Sequence, residues 1–232
     1  CASDAHETKD VARAATFILM EKATFPELRR ALAGEGGRTV LGGGRPMEDL
    51  ALHILDIAQN SLEAGAGTIE IEITENLKDN LLTIEIRDNG RGMDSETLRK
   101  VTDPFFTTRT TRRVGMGLPL LAAASKATGG ALAIDSKPGR GTSIRATFQH
   151  GHMDRAPLGD IETTLMVLLT GQPDKDIFFR HRIDDLEFSL DSRDFRAADI
   201  DLASPVGLAI LRETIRQGET GLQAAGSGPR DS

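Results

Sequence analysis

The sequence predicts an α+β fold: a two-layer α/β sandwich in which helices cover one face of a mixed, mostly antiparallel sheet. Three observations carry that expectation. Ile69, Ile71 and Ile73 alternate with Glu70, Glu72 and Thr74, and Leu82, Ile84 and Ile86 repeat the alternation after the polar turn Asn76–Asn80. That is a β-hairpin with one covered face. A second hairpin is expected from Ala131–Ser136 and Thr142–Phe148 around Pro138-Gly139, and helical-period segments flank both pairs.

In chain order, residues 1–46 come first and are mixed. Thr24 to Ala33 reads as a short helix, with Thr24 as N-cap and Glu27 completing a capping box. The glycine-rich stretch 34–44 reads as a linker. From Met47 the pattern becomes regular. Leu50, Ile54, Ile57, Ala58, Ser61 and Leu62 define a long amphipathic helix that ends at Gly65. Ser95–Val101 is a short helix, Thr107–Val114 a cationic loop, and Leu118–Thr128 a helix of small residues. Beyond His150, Ile161–Leu169 and Pro205–Gln217 read as helices and Ile177–Ile183 as a strand. Residues 218–232 read as a disordered tail. The expected division is therefore 1–46, 47–150 and an acidic α/β extension at 151–232.

Charge and composition exclude several classes. The net charge of −7 argues against a general nucleic-acid surface. Residues 151–232 hold 15 Asp+Glu against 9 Lys+Arg, leaving the first 150 residues with 20 against 19. Within those, Arg99 to Arg113 is locally cationic, the natural place to seek an anionic ligand. A single cysteine, Cys1, rules out an internal disulfide framework. No apolar run approaches the ~18 residues of a membrane span, and no secretory leader opens the chain. A cytoplasmic location without a membrane partner is expected. The first residue is Cys, which fits a fragment or a processed product.

Four separated pieces carry chemistry. Asp56 and Asn60, four apart, share one helical face, and a carboxylate beside an amide oxygen suits a hard cation and an oriented water. In Asp88-Asn89-Gly90-Arg91-Gly92-Met93 a strand carries an acid into a glycine turn, where backbone approaches a ligand closely and Asp88 can accept from an amino group. Asp103 to Arg109 precedes Gly115-Met116-Gly117-Leu118, a glycine turn opening a helix with N–H groups suited to phosphate. Gly139-Arg140-Gly141-Thr142 leads into the last strand of the second hairpin. Each piece alone fits an ordinary helix face or turn. Their order and spacing do not.

These pieces resemble the GHKL ATP-binding superfamily of histidine-kinase catalytic domains, gyrase and MutL ATPases, and heat-shock chaperone ATPases. LHILDIAQNSLEAGA is similar to its N box, IRDNGRGMD to its first glycine box, and DPFFTTR to the kinase-type F box. GMGLPL resembles the second glycine box and GRGTSIRATF the closing strand. The resemblance covers roughly residues 47–150 and implies the Bergerat-type ATP-binding fold, with ATP and Mg²⁺ as cofactors. It implies that Asn60 coordinates Mg²⁺ and that Asp88 takes the adenine amino group, with Thr142 alongside through water. Gly90 and Gly92 would make room for the base, and Met93 would line its pocket. Gly115 and Gly117 would hinge the lid and face the phosphates, Met116 and Leu118 would belong to the same nucleotide-binding set, and Arg109, Arg112 and Arg113 would meet phosphate charge. Asp56 takes the place of the general base, where gyrase-like members carry Glu.

The first forty residues, with Ser3-Asp4-Ala5-His6 and TFPELRRALAGEGGR, look like the C-terminal end of a PHP-type phosphoesterase, in which Asp4 and His6 would be metal ligands needing others upstream. Two functions follow from the ATP-domain resemblance. One is transfer of the γ-phosphoryl group to a protein partner in trans, since the 46 residues before Met47 show no phosphoacceptor hairpin. The other is an ATP-dependent conformational switch with slow or no hydrolysis. A homodimer stays open for both. His53 reads as packed or solvated within its helix. His150, His152 and Asp154 alternate on a conceivable strand, as an ordinary polar strand end or a metal face.

Overall fold

The computed structural model describes residues 49–101 and 117–226. The helix and linker expected before Met47, Asp4 and His6, the segment Asp103–Arg109, and Arg112, Arg113, Gly115 and Met116 lie outside the described residues.

Helix α1 (Leu50–Glu63) starts at Asp49, whose Oδ1 accepts from the Leu52 N–H at 3.0 Å. Two more first-turn donors, Leu50 N and Ala51 N, reach the carbonyls of Pro157 and Leu158 at 3.0 and 2.8 Å. A segment from beyond residue 150 thus satisfies groups that a helix start leaves open. Strands β1 (Thr68–Asn76) and β2 (Leu81–Asp88) form the first hairpin, and β3 (Leu132–Lys137) and β4 (Gly141–Gln149) the second. Between the hairpins lie α2 (Ser95–Lys100), capped by Asp94, and α3 (Gly117–Ala127). Pro119 falls in the first turn of α3, where its missing N–H breaks no helical hydrogen bond.

After β4 come α4 (Ile161–Gly171), β5 (Asp176–Ile183), β6 (Leu186–Asp191), α5 (Ser192–Ala197) and α6 (Pro205–Gly226). Strand β5 pairs in parallel with β1, so one mixed sheet runs β3-β4-β2-β1-β5-β6. Every other neighbouring pair is antiparallel. Residue 150 therefore lies between two strands of a single sheet, and the acidic segment supplies its last two. Helix α6 reaches Gly226, nine residues past Gln217 and into the stretch expected to be disordered; Leu222 is buried, so packing of its apolar stripe carries the helix on. Strand β4 ends at Gln149, and His150 to Asp154 form turns rather than a strand. The alternation of His150, His152 and Asp154 makes no metal face, and no described group of three or more His, Cys, Asp or Glu is placed to hold an ion.

Helices α1, α3 and α6 pack on one face of the sheet, over β1–β2, β3–β4 and β5–β6 respectively, and α4 packs between α1 and α6. The strand registers sort that face into rows. Ile134, Ile144, Ile86, Ile71, Phe179 and Leu190 make one row; Leu132, Ala146, Ile84, Ile73, His181 and Phe188 make the next. Most of these side chains are buried, and full burial of each large aliphatic contributes about 1.5–3 kcal/mol. The opposite face is polar. There Arg87 lies 2.9 Å from Glu85 and 3.6 Å from both Glu70 and Glu72. Such exposed pairs contribute roughly 0–1 kcal/mol each and mainly keep that face wet. Among the described residues, no helix is long and apolar enough to cross a membrane.

Candidate functional site

The row at one end of the covered face departs from the apolar pattern. Ser136 on β3, Thr142 on β4 and Asp88 on β2 stand side by side, with Ile69 and Ile177 continuing the row. Residues directly opposite on paired strands project to the same side, so Thr142 and Asp88 face the helices together. Asp88 is held from two directions. The Ser61 hydroxyl on α1 donates to Oδ2 at 2.7 Å, and the Gly90 N–H donates to Oδ1 at 2.8 Å. A carboxylate offers about four acceptor positions, and two are filled.

The glycine turn after Asp88 is clasped on both sides. Arg91 N donates to Ala64 O at the end of α1, and Arg91 O accepts from Gly139 N at 2.8 Å. Asn89, between the two predicted residues Asp88 and Gly90, is structural. Its Oδ1 accepts from Gly67 N and Thr68 N at 2.8 and 2.9 Å, fixing the start of β1. Gly90 is buried beside Ala64, Gly92 is half-buried with φ of +66°, and Met93 is half-buried with its N–H on the Ser136 hydroxyl at 2.8 Å. Gly141 has φ of +81°, and a Cβ there would collide with the Asp88 carbonyl oxygen. Only glycine lets β4 begin this close to the end of β2.

Asp56 and Asn60 lie one turn apart on α1, Asp56 half-buried and Asn60 exposed. Gly117, first residue of α3, is buried against Asp56: a Cβ would overlap the carboxylate. The site thus brings Asp56 to the start of α3, and Leu118 is half-buried next to it. Asn60, Asp56, Ser61 and Asp88 share one region because a single helix carries the first three across the sheet end. The described residues of the expected set are therefore gathered at α1, α3 and the Ser136–Thr142–Asp88 row, while Arg109, Gly115 and Met116 lie outside the described residues.

Ser61 and Ser136 escape sequence reasoning. Ser136 has a usable signal: it is a polar residue on the alternation that places Leu132 and Ile134 on the covered face. Ser61 occupies a core position of the α1 pattern and is 3% exposed.

A mixed sheet under helices, with a glycine-turn acid and an amide-bearing helix at one end, is the architecture of a nucleotide-binding α/β sandwich. Residues 47–152 match the family described as "Histidine kinase-, DNA gyrase B-, and HSP90-like ATPase", and that part of the chain is a domain of this family. Among curated proteins, the chain is 33% identical over 116 residues to a "Putative sensor protein" of Shewanella frigidimarina, covering 50% of this chain and 17% of that one. It is 35% identical over 109 residues to "Sensor protein kinase FleS" of Pseudomonas aeruginosa, covering 47% of this chain and 26% of that one. The chain thus spans about a sixth and about a quarter of these relatives' lengths. Among solved structures, the Aquifex aeolicus MutL ATPase domain complexed with ADP aligns at TM-score 0.40 and 17% identity over 62% of this chain and 63% of that one.

Proposed function

We propose that residues 47–152 bind Mg-ATP and that the protein transfers the γ-phosphoryl group to a protein partner in trans. The observation that carries the reading is the half-buried Asp88 carboxylate, pinned by Ser61 and Gly90 and set directly opposite Thr142. A fixed acceptor beside a glycine turn suits the exocyclic amine of adenine. Asp56 and Asn60 stand on the helix that carries Ser61, so the base end and the phosphate end of a nucleotide would be read by one rigid element.

The side-chain oxygen of Asn60 fits Mg²⁺ in donor type. A hard cation takes oxygen ligands and keeps several waters, and the described residues offer no all-protein cage that would compete. The ion, when bound, would supply charge neutralisation for the phosphates. Asp56, against the first residue of α3, would orient the attacking hydroxyl or water and accept its proton. Relatives that bear the printed names sensor protein and sensor protein kinase support transfer to a protein.

A second reading is an ATP-dependent conformational switch with slow or no hydrolysis, in which nucleotide binding changes affinity for a partner. The shorter reach of Asp56, where gyrase-like members carry Glu, favours it. Incubation with γ-labelled ATP and candidate partners separates the two: label on a partner supports the kinase, and nucleotide-dependent protection of α3 without label supports the switch. Asn60→Ala is expected to abolish Mg²⁺-dependent ATP binding, and calorimetry giving wild-type affinity would overturn the assignment.

A further inference from the structure

We infer that Ser136 is a positioning residue for base selection: it orients the Thr142 hydroxyl so that the site presents only acceptors to the 6-position of a purine. This rests on the nucleotide reading above and adds a second selective group to Asp88.

The geometry around Ser136 fixes where its proton goes. Its side chain is 8% exposed, and its Oγ makes three short contacts: with Met93 N at 2.8 Å, Gly141 O at 3.0 Å and Thr142 Oγ1 at 2.9 Å. The Met93 amide can only donate, and the Gly141 carbonyl can only accept. Ser136 has one proton. For all three contacts to be hydrogen bonds, that proton must go to Gly141 O, and the Thr142 proton must then point to Ser136. Any other assignment leaves the 3.0 Å carbonyl contact without a hydrogen between its two oxygens. The Thr142 hydroxyl has therefore spent its only proton, and what it turns to the site is lone pairs.

Asp88 stands directly opposite on the neighbouring strand, and as a carboxylate it also offers lone pairs alone. Two adjacent acceptors match a 6-amino group, directly or through a shared water. A 6-oxo purine would bring a carbonyl oxygen against both. Without Ser136, the Thr142 hydroxyl can rotate and donate to that oxygen, so half of the discrimination disappears while the phosphate contacts stay.

The test is calorimetric titration of the full chain with Mg-ATP and Mg-ITP, nucleotides that differ in the group at the 6-position. The wild type is expected to bind ATP at least 30-fold more tightly, a ratio within the ~1–3 kcal/mol that one mispaired polar contact costs. Ser136→Ala is expected to lower that ratio at least fivefold, chiefly by tighter ITP binding. Ser136→Thr keeps the hydroxyl and restores the ratio. Thr142→Val removes the oriented group itself, so it lowers the ratio too and leaves Ser136→Ala nothing further to change in the double variant. If Ser136→Ala weakens both nucleotides by one factor, its role is structural and the proposal falls. If that variant does not fold, Thr142→Val decides alone, and an unchanged ratio overturns the proposal. Wild-type protein that binds neither nucleotide overturns the nucleotide reading itself, whereas an ATP preference that both variants keep overturns only the role of Ser136.

Discussion

The two ends of the covered sheet face handle polar groups in opposite ways. At one end, Asp88 and Thr142 are half-buried and pinned by neighbours yet keep unused acceptor positions, beside the buried Ser136. At the other, His181 on β5 is fully buried and every ring proton is used: Nε2 lies 2.9 Å from Glu75 on β1, and Nδ1 lies 2.9 Å from Glu219 on α6. Glu75 also takes His150 at 2.5 Å. Burial opposes charge on His181, but the carboxylates of Glu219 and Glu75 outweigh it and push its pKa up to about 9. A polar group with spare capacity can read a ligand. One with none can only hold the fold, here tying α6 to the sheet through an imidazolium between two acids.

The largest effect should come from breaking the closed end. His181→Phe keeps an aromatic beside Phe179 and Phe188 but removes the imidazolium between the half-buried carboxylates of Glu75 and Glu219. Removal of one partner of a buried ion pair costs about 3–5 kcal/mol, and urea titration should show a loss of that size. If ATP affinity then stays within a few-fold of wild type below the unfolding transition, the two ends are independent. The pH dependence carries the same sign. The folded-state pKa of His181 exceeds its ordinary value of 6.5, so its contribution is complete below about pH 6.5 and is lost as pH rises through about 9. Glu75 is shifted the other way: burial raises its pKa, but bonds to His181 and His150 overcome that and leave it lowered, so its contribution fades as pH falls. Denaturation midpoints should therefore peak between these limits, and a midpoint still rising from pH 7 to 9 would refute the buried imidazolium.

At the open end, Gly141→Ala should cost about 2–4 kcal/mol, combining an unfavourable left-handed backbone with a clash against the Asp88 carbonyl. Unlike the His181 change, it should also impair nucleotide binding, because it parts β2 from β4 where Asp88 faces Thr142. Asp88→Asn should leave urea stability nearly unchanged and weaken ATP roughly tenfold or more, about 1.5–3 kcal/mol for a hydrogen bond to a charged group. Equal ATP and GTP affinities in wild type and variant would remove Asp88 from base recognition.

Strand alternation made the fold legible as far as β4. Ile69, Ile71 and Ile73 facing Ile86 and Ile84 need no tertiary information. The parallel pairing of β1 with β5 was not legible, since partners a hundred residues apart leave no local pattern. Strand β6 was missed because Leu186, Phe188 and Leu190 alternate for only three positions. The site divided in the same way. Asp56, Asn60 and Asp88 stand out by spacing and by glycine turns, whereas Ser136, Glu75 and His181 are polar residues on apolar registers. Each is a break in an alternation that otherwise predicts burial, and that break was the available signal. What it could not reveal is the partner: Glu219 arrives from a helix 38 residues beyond His181.

The smallest predicted effect locates the centre of the closed network. His150 is the fourth member, yet its side chain is 23% exposed and it bonds only one oxygen of Glu75, the one His181 does not use. Water can replace it there, so His150→Gln should cost about 0.5–1 kcal/mol, the ordinary net worth of one hydrogen bond. The two histidines share Glu75, so their effects should not add: with His181 already replaced, Glu75 has only His150 left, and its loss should then cost more than in the wild type. A double-mutant cycle by urea titration measures this. Strict additivity would mean that Glu75 does not couple them, and that the closed end consists of two separate contacts rather than one chain from β4 to α6.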